Sequence, residues 1–161
     1  MKEVFYNRKA AALYAEKWAF GRNPRYLDFE NLGGDCTNFV SQCIYAGAKV
    51  MNFTPVFGWY YNSSYDRTAS WTGVSFLYDF LTKNSGVGPY AEETDIYGMT
   101  TGDVIQLGDV SGNFYHSLFV TENFHGNVYV ATHTADSYMH DLASFFFDRA
   151  RFLHIKGVRA Y

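Results

Sequence analysis

The chain has 161 residues, of which 48% are hydrophobic and 20% aromatic, and it carries a formal net charge of −3. This length and apolar content are typical of one folded domain over residues 1–161, and they exclude a disordered chain. There is no basic cluster and no apolar run of the roughly 18 residues that a membrane span needs, so we expect no nucleic-acid partner and no membrane span. We also expect a monomer.

The N-terminal residues, Met1–Asn7, contain no apolar segment that resembles a signal peptide. Two locations therefore remain open from the sequence. The protein is secreted or cell-wall associated if an export signal has been removed, and otherwise it is cytoplasmic.

The first half of the chain predicts three helices. Asn7 is a good N-cap for the first, which runs to about Phe20. The second begins at Asp35 or Cys36 and ends before Gly47, because its apolar residues recur at helical spacing. The third helix covers residues 74–83.

The remaining segments predict a long loop and then a sheet. Residues 49–72 are irregular and rich in Tyr, Trp and Asn, which is typical of a functional loop. The predicted strands are 103–107, 116–121, 128–133 and 152–155. Helices followed by antiparallel strands predict an α+β fold with the helices on one side of the sheet.

Cys36 is the most informative residue, because two glycines precede it and a helix follows it. At a helix N-terminus, the positive end of the dipole lowers the pKa of a thiol, and free N–H groups can bind an oxyanion. The alternative is a buried cysteine with no reactivity, which we favour for Cys43 in the middle of the same helix. On one helix the two Cα atoms are roughly 10 Å apart, too far for a disulfide.

Two histidines, His116 and His133, lie on neighbouring predicted strands. If Thr121 pairs with Val128, His116 lies opposite His133 with Cβ atoms roughly 5 Å apart. His133 would then orient the His116 ring, with Asp136 as the alternative. A slip of one residue would instead place Thr132 opposite His116.

Other candidate residues have simpler interpretations. We expect no metal and no cofactor, because His133, Asp136 and His140 do not match a known zinc spacing. Trp59 lies in an aromatic run that could line a substrate groove, although packing in the core is an equal alternative. Residues 145–147, three phenylalanines, are predicted to be core.

The motif Gly-Asp-Cys-Thr-Asn-Phe-Val-Ser-Gln-Cys at residues 34–43 resembles the signature of a bacterial amidase domain of the papain-like cysteine peptidase superfamily, which is related to NlpC-type cell-wall peptidases and CHAP amidases. Weaker matches follow in the expected order along most of the chain. They are residues 6–11 with Tyr14-Ala15, 23–26, 102–106, His116-Ser117 and His133-Thr134.

This resemblance implies a papain-like fold in which the helix of the nucleophile packs on a C-terminal antiparallel sheet. It implies Cys36 as nucleophile, His116 as base and His133 as the third residue. Asp35, next to the nucleophile, and Trp59 are candidate substrate-binding residues. The position of the papain oxyanion glutamine is Glu30 here, so that donor is not carried over.

The implied function is cysteine-dependent hydrolysis of an amide or peptide through a thioacyl-enzyme. Peptides of the bacterial cell wall, and hence peptidoglycan, are the candidate substrate. Two alternatives remain, namely a catalytically silent binding domain and a transglutaminase-like acyl transferase. The presence of both Cys36 and His116 counts against the silent domain.

Overall fold

Helices occupy much of the first half of the chain and strands most of the second half in the computed structural model, which describes residues 1–161. The helices are α1 (Arg8–Trp18), α2 (Cys36–Ala48), α3 (Ala69–Thr72) and α4 (Val74–Lys83). The strands are β1 (Lys2–Val4), β2 (Tyr61–Ser63), β3 (Asp66–Arg67), β4 (Gly88–Thr94), β5 (Val104–Gly108), β6 (Phe114–Phe124), β7 (Asn127–Thr132), β8 (Ser137–Asp141) and β9 (Arg149–Ala160). The predicted α+β class is confirmed, with four helices instead of three.

The main sheet has seven strands, all paired antiparallel, and β9 is its longest member. One edge of β9 pairs with β4. Its other edge pairs first with β5 and then, near the end of the chain, with β1. The order continues from β5 through β6 and β7 to β8, while β2 and β3 form a separate hairpin. No helix is both long enough and apolar enough to cross a membrane.

Alternating side chains of the sheet divide between two apolar clusters. One cluster joins sheet residues such as Phe119 and Leu153 to all four helices. The other joins their neighbours, Leu118 and Ile105 among them, to two short 3₁₀ turns at Ile96–Gly98 and Leu142–Ser144. The helices therefore cover one face only, as the order of elements predicts.

The helix α2 lies at the centre of the helical layer, with 11 of its 13 residues buried. The predicted end before Gly47 is wrong, because the helix continues to Ala48 and ends at Lys49, which has a φ of 59°. Gly47 does not end the helix but allows close packing against the start of α1. A Cβ there would lie 2.6 Å from the carbonyl oxygen of Asn7, so glycine permits the close approach of α1.

The hairpin of β6 and β7 differs from the prediction in its turn and its register. A two-residue turn, His125-Gly126, joins the strands, and both residues have the positive φ of a type I′ turn. A bulge at Thr121 then shifts the register before Phe119 pairs with Ala131. The predicted pairing of His116 with His133 is therefore wrong, and the two side chains lie on opposite faces of the sheet.

Candidate active site

Cys36 is the first residue of α2, as predicted, and it is only 7% exposed. Gly33 and Gly34 before it have φ values of 103° and 104°, which only glycine adopts without strain. The side chain of Asp35, at the N-cap position, makes no capping hydrogen bond. The backbone N–H groups of the first helical turn are thus free of a side-chain cap.

The start of α2 contacts β6 directly beside His116. The Oγ1 of Thr37 lies 2.9 Å from the Oγ of Ser117, the residue after His116. The same Thr37 Oγ1 lies 3.8 Å from the sulfur of Cys36. The backbone of Ser117 also lowers the pKa of the Cys36 thiol. These contacts place Cys36 against the strand that carries His116.

The thiol of Cys36 does not have the lowered pKa that its position at a helix start predicts. Burial raises the pKa of Cys36, and the carboxylate of Asp35 adds to this effect. Hydrogen bonds from the Ser117 and Thr37 N–H groups and the Thr37 hydroxyl lower the pKa, but by less. The prediction fails because desolvation of a thiolate outweighs the partial charge of the helix end. At neutral pH this geometry holds a thiol.

His116 lies on the face of the sheet opposite α2 and is partly buried. Its ring centre lies 6.2 Å from that of Phe145, and its Nε2 lies 3.4 Å from the Oγ1 of Thr132. Burial lowers the pKa of His116 to about 4, so the imidazole is neutral at neutral pH. The structure contains no hydrogen bond between His116 and Cys36.

His133 lies with the helices and not with His116, which contradicts its predicted role as the orienting residue. Its Nδ1 lies 2.5 Å from a carboxylate oxygen of Asp35, and its Nε2 lies 2.8 Å from the carbonyl oxygen of Trp18. The ring stacks on Phe39, with 4.1 Å between centres. These two partners occupy both ring nitrogens, so His133 has no free nitrogen for His116.

Asp35 is also committed to structural contacts, which contradicts its predicted contact with substrate. It is 1% exposed, and one carboxylate oxygen accepts from the N–H of Phe29 and the amide of Asn38. Arg22 lies 3.6 Å from the other oxygen and forms ion pairs with three more carboxylates, those of Asp28, Glu30 and Asp136. We call Arg22, Asp35, His133 and Asp136 the brace. It ties the loop before Cys36 to the turn after β7.

Trp59 is fully buried, so the predicted contact with substrate is wrong. Its indole N–H donates to Ser41 on α2, and its ring packs 4.7 Å from that of Trp71. The aromatic residues that are exposed in this region lie beside it, with Phe57 83% exposed. The prediction that residues 145–147 are core is confirmed only in part, because Phe145 packs against the second apolar cluster while Phe146 is 97% exposed.

The chain contains no group of three or more His, Cys, Asp or Glu side chains arranged to hold a metal ion. The expected absence of a metal stays a prediction. A cavity of about 630 Å³ lies between residues 52–58 and α4. Its lining includes neither Cys36 nor His116.

Comparison with known proteins identifies the family. The profile of the family described as "Putative amidase domain" matches residues 5–155, and the chain belongs to this family. Membership supports a hydrolase activity in general terms. No solved structure matches the chain.

Two relatives come from the bacterium Bacillus subtilis (strain 168). The chain is 36% identical to uncharacterized protein YhbB over 140 residues, which are 83% of this chain and 43% of the relative. It is 27% identical to uncharacterized protein YjcM over 139 residues, which are 81% of this chain and 31% of the relative. The chain therefore spans less than half the length of either relative.

Proposed function

We propose that the chain is a cysteine-dependent amide hydrolase with a papain-like fold, in which Cys36 is the nucleophile and His116 the base. The contact between the start of α2 and β6 carries this proposal. There the Thr37 Oγ1, which lies 3.8 Å from the Cys36 sulfur, also lies 2.9 Å from the Oγ of Ser117, the residue after His116. The backbone of Ser117 also lowers the pKa of the Cys36 thiol. The family membership supports the same reaction class.

The reaction divides into two steps. In the resting structure His116 lies on the sheet face opposite α2 and makes no hydrogen bond to Cys36, so the proposed reaction requires the two groups to approach each other when substrate binds. Neutral His116 then takes the proton from the Cys36 sulfur as the sulfur attacks the amide carbonyl carbon. The imidazolium then gives that proton to the leaving nitrogen, the C–N bond breaks, and an acyl group remains on the sulfur. In the second step His116 takes a proton from water, the resulting hydroxide attacks the thioester carbonyl, and the thiolate of Cys36 leaves and recovers the proton.

The electrostatics favour proton transfer during attack over a preformed ion pair. Burial raises the pKa of Cys36 and lowers that of His116 to about 4, so both groups are neutral before the reaction. The negative charge on the carbonyl oxygen develops beside the N–H groups at the start of α2, which is the type of donor that stabilises an oxyanion.

We propose peptides of the bacterial cell wall as the substrate class, on the resemblance to NlpC-type peptidases. A cell-wall substrate requires that the protein acts outside the membrane, and we propose a secreted or wall-associated monomer. The test is digestion of purified bacterial peptidoglycan. The expected result is new amino groups released by the wild type but not by Cys36→Ala.

The experiment that tests the chemistry is acyl-enzyme formation with p-nitrophenyl acetate. Intact mass and peptide mapping should find the acetyl group on Cys36 in the wild type. His116→Ala should form the acetyl-enzyme at least about a hundredfold more slowly, since general base catalysis is typically worth 10²–10⁴-fold. Cys43→Ala, a buried cysteine on the same helix, is the matched control and should react like the wild type.

The alternatives predict different results. An acyl transferase would pass the acetyl group to an added primary amine in preference to water. A catalytically silent binding domain would form no acetyl-enzyme at any pH, and acetylation of a residue other than Cys36 would exclude the proposed nucleophile.

A further inference from the structure

Thr132, the last residue of β7, makes the one hydrogen-bonding contact to the His116 ring that the structure contains. Its side chain is fully buried, and its Oγ1 lies 3.4 Å from the Nε2 of His116. Both side chains lie on the face of the sheet away from the helices. The contact results from the bulge at Thr121, which sets the register of β6 and β7.

The other neighbours of the Thr132 hydroxyl decide which way this hydrogen bond runs. Its Oγ1 lies 2.8 Å from the carbonyl oxygen of His133 and 3.1 Å from that of Ser117. A carbonyl oxygen only accepts, so the single proton of the hydroxyl is donated to one of these two oxygens. The lone pairs of Oγ1 then remain for Nε2 of His116, an arrangement that favours the tautomer with the proton on Nε2.

We propose that Thr132 is a positioning residue that holds His116 in the tautomer with the proton on Nε2 and a free lone pair on Nδ1. The inference deepens the proposed function and rests on it. In this tautomer Nδ1 is the atom that takes the proton of Cys36. Thr132 thus takes the part that the sequence assigns to His133, whose ring nitrogens are both used by Asp35 and Trp18.

Proton transfer should strengthen this contact. When Nδ1 accepts the thiol proton, the ring becomes an imidazolium, and its Nε2–H forms a charge-assisted hydrogen bond to Thr132. The resting distance of 3.4 Å is longer than the 2.7–3.2 Å typical of such bonds. Catalytic hydrogen bonds are often long in the free enzyme and tighten in the reacting complex. The hydroxyl keeps its own proton throughout, because that proton is held by a backbone carbonyl.

The direct test is the tautomer of His116, measured by NMR on protein labelled with ¹⁵N-histidine at neutral pH. We expect Nε2–H in the wild type, in Cys36→Ala and in Thr132→Ser, which keeps the hydroxyl. We expect a mixture of tautomers in Thr132→Val, which has the same shape without a hydroxyl. A wild-type ring protonated on Nδ1 overturns the inference, whether or not any variant folds.

Kinetics with p-nitrophenyl acetate give the second test. Thr132→Val should lower the acylation rate by roughly ten- to a hundredfold, less than the 10²–10⁴-fold typical of the whole general-base effect. The acid limb of its pH–rate profile should move to lower pH, because the imidazolium of His116 loses a hydrogen-bond acceptor. Thr132→Ser should keep most of the acylation rate and the wild-type pH–rate profile. Thr68→Val removes another buried threonine hydroxyl, at the start of α3 away from His116. This control should leave the acylation rate and its pH profile unchanged.

The two proposals fail separately. If Cys36→Ala keeps the wild-type activity, the proposed function is wrong. If Cys36→Ala is inactive but Thr132→Val keeps the wild-type rate, tautomer and pH profile, only the positioning role of Thr132 is wrong.

Discussion

Cys36 and Cys43 lie on the same helix, but their surroundings differ in polarity. Cys36 is 7% exposed, and hydrogen-bonding groups of Ser117 and Thr37 lower the pKa of its thiol against the effect of burial. Cys43 is 0% exposed, and burial raises its pKa well above the ordinary value with only its own backbone N–H to oppose the shift. Formation of a thiolate is therefore less costly at Cys36 than at Cys43.

This difference predicts selective alkylation. In the folded protein, iodoacetamide should modify Cys36 far faster than Cys43, and the rate should keep rising into the alkaline range because the pKa of Cys36 is raised. Peptide mapping by mass spectrometry across a pH series measures both rates. In urea the two cysteines should react alike, which is the internal control. Equal and slow labelling of both in the folded protein would exclude Cys36 as the nucleophile.

His116 should make the folded protein sensitive to acid. Its folded pKa of about 4 lies below the ordinary 6.5 because of burial, so between these values the unfolded chain binds more protons than the folded one. The free energy of unfolding contributed by this group is therefore present above about pH 6.5 and is lost as the pH falls towards 4. The loss should be on the order of 1–3 kcal/mol for a partly buried ring.

Urea unfolding at neutral pH and near pH 4 measures this effect. The loss of unfolding free energy between neutral pH and pH 4 should be smaller in His116→Gln than in the wild type, by the contribution of the His116 ring. His125→Asn is the control, because His125 is exposed in the β6–β7 turn and asparagine tolerates its positive φ. An equal acid-induced loss in all three proteins would contradict the buried, neutral state of His116.

At the scale of elements, local patterns predicted the helices well and the strand pairings poorly. Asn7 caps α1 as expected, and its side chain accepts from the N–H of Ala10. The bulge at Thr121 leaves no trace in the alternation of apolar residues, so the sequence could not reveal the true register. Strand β4 was missed for a similar reason, because a register shift at Tyr90 interrupts its pattern.

The brace is another element-scale feature that the sequence did not reveal. Its members come from the loop after α1, the residue before α2 and the segment after β7, and only the tertiary fold brings them together. Nothing in their spacing indicates an ion-pair network. The presence of Asp35 beside the cysteine indicated only proximity to the site.

The brace predicts a large difference between two substitutions. His133→Ala removes one partner of a pair in which both side chains are 1% exposed, and it should destabilise the fold by about 3–5 kcal/mol. Asp136→Ala removes a partly exposed partner of Arg22 and should cost at most about 1 kcal/mol. Urea unfolding measures both. Loss of activity in a His133→Ala protein of unchanged stability would restore a catalytic role for this residue.

At the scale of the whole molecule, the order of layers follows from the sequence, because helices precede strands along the chain. The central position of β9 does not follow. The predicted strand at residues 152–155 is only the middle of a strand that pairs with three others. The family profile ends at residue 155, within this strand. The single-domain boundary of 1–161 stays a prediction.

The pairing of β9 predicts that its last residues hold the sheet together. Val158 is fully buried and pairs with Val4 of β1 on one edge and Pro89 of β4 on the other. Burial of one valine contributes about 1.5–3 kcal/mol. Deleting residues 156–161 should lower the free energy of unfolding by more than this amount, because β1 also loses its only partner strand.

Deleting Tyr161 alone is the matched control, because this residue is 94% exposed and lies outside the strand. The urea midpoint should fall markedly in the longer deletion and stay at the wild-type value in the control. Cys36 contacts β6, and no residue beyond 155 takes part in that contact. The fraction of the truncated protein that remains folded should thus still form the acetyl-enzyme. A wild-type midpoint in the longer deletion would show that the end of β9 does not stabilise the sheet.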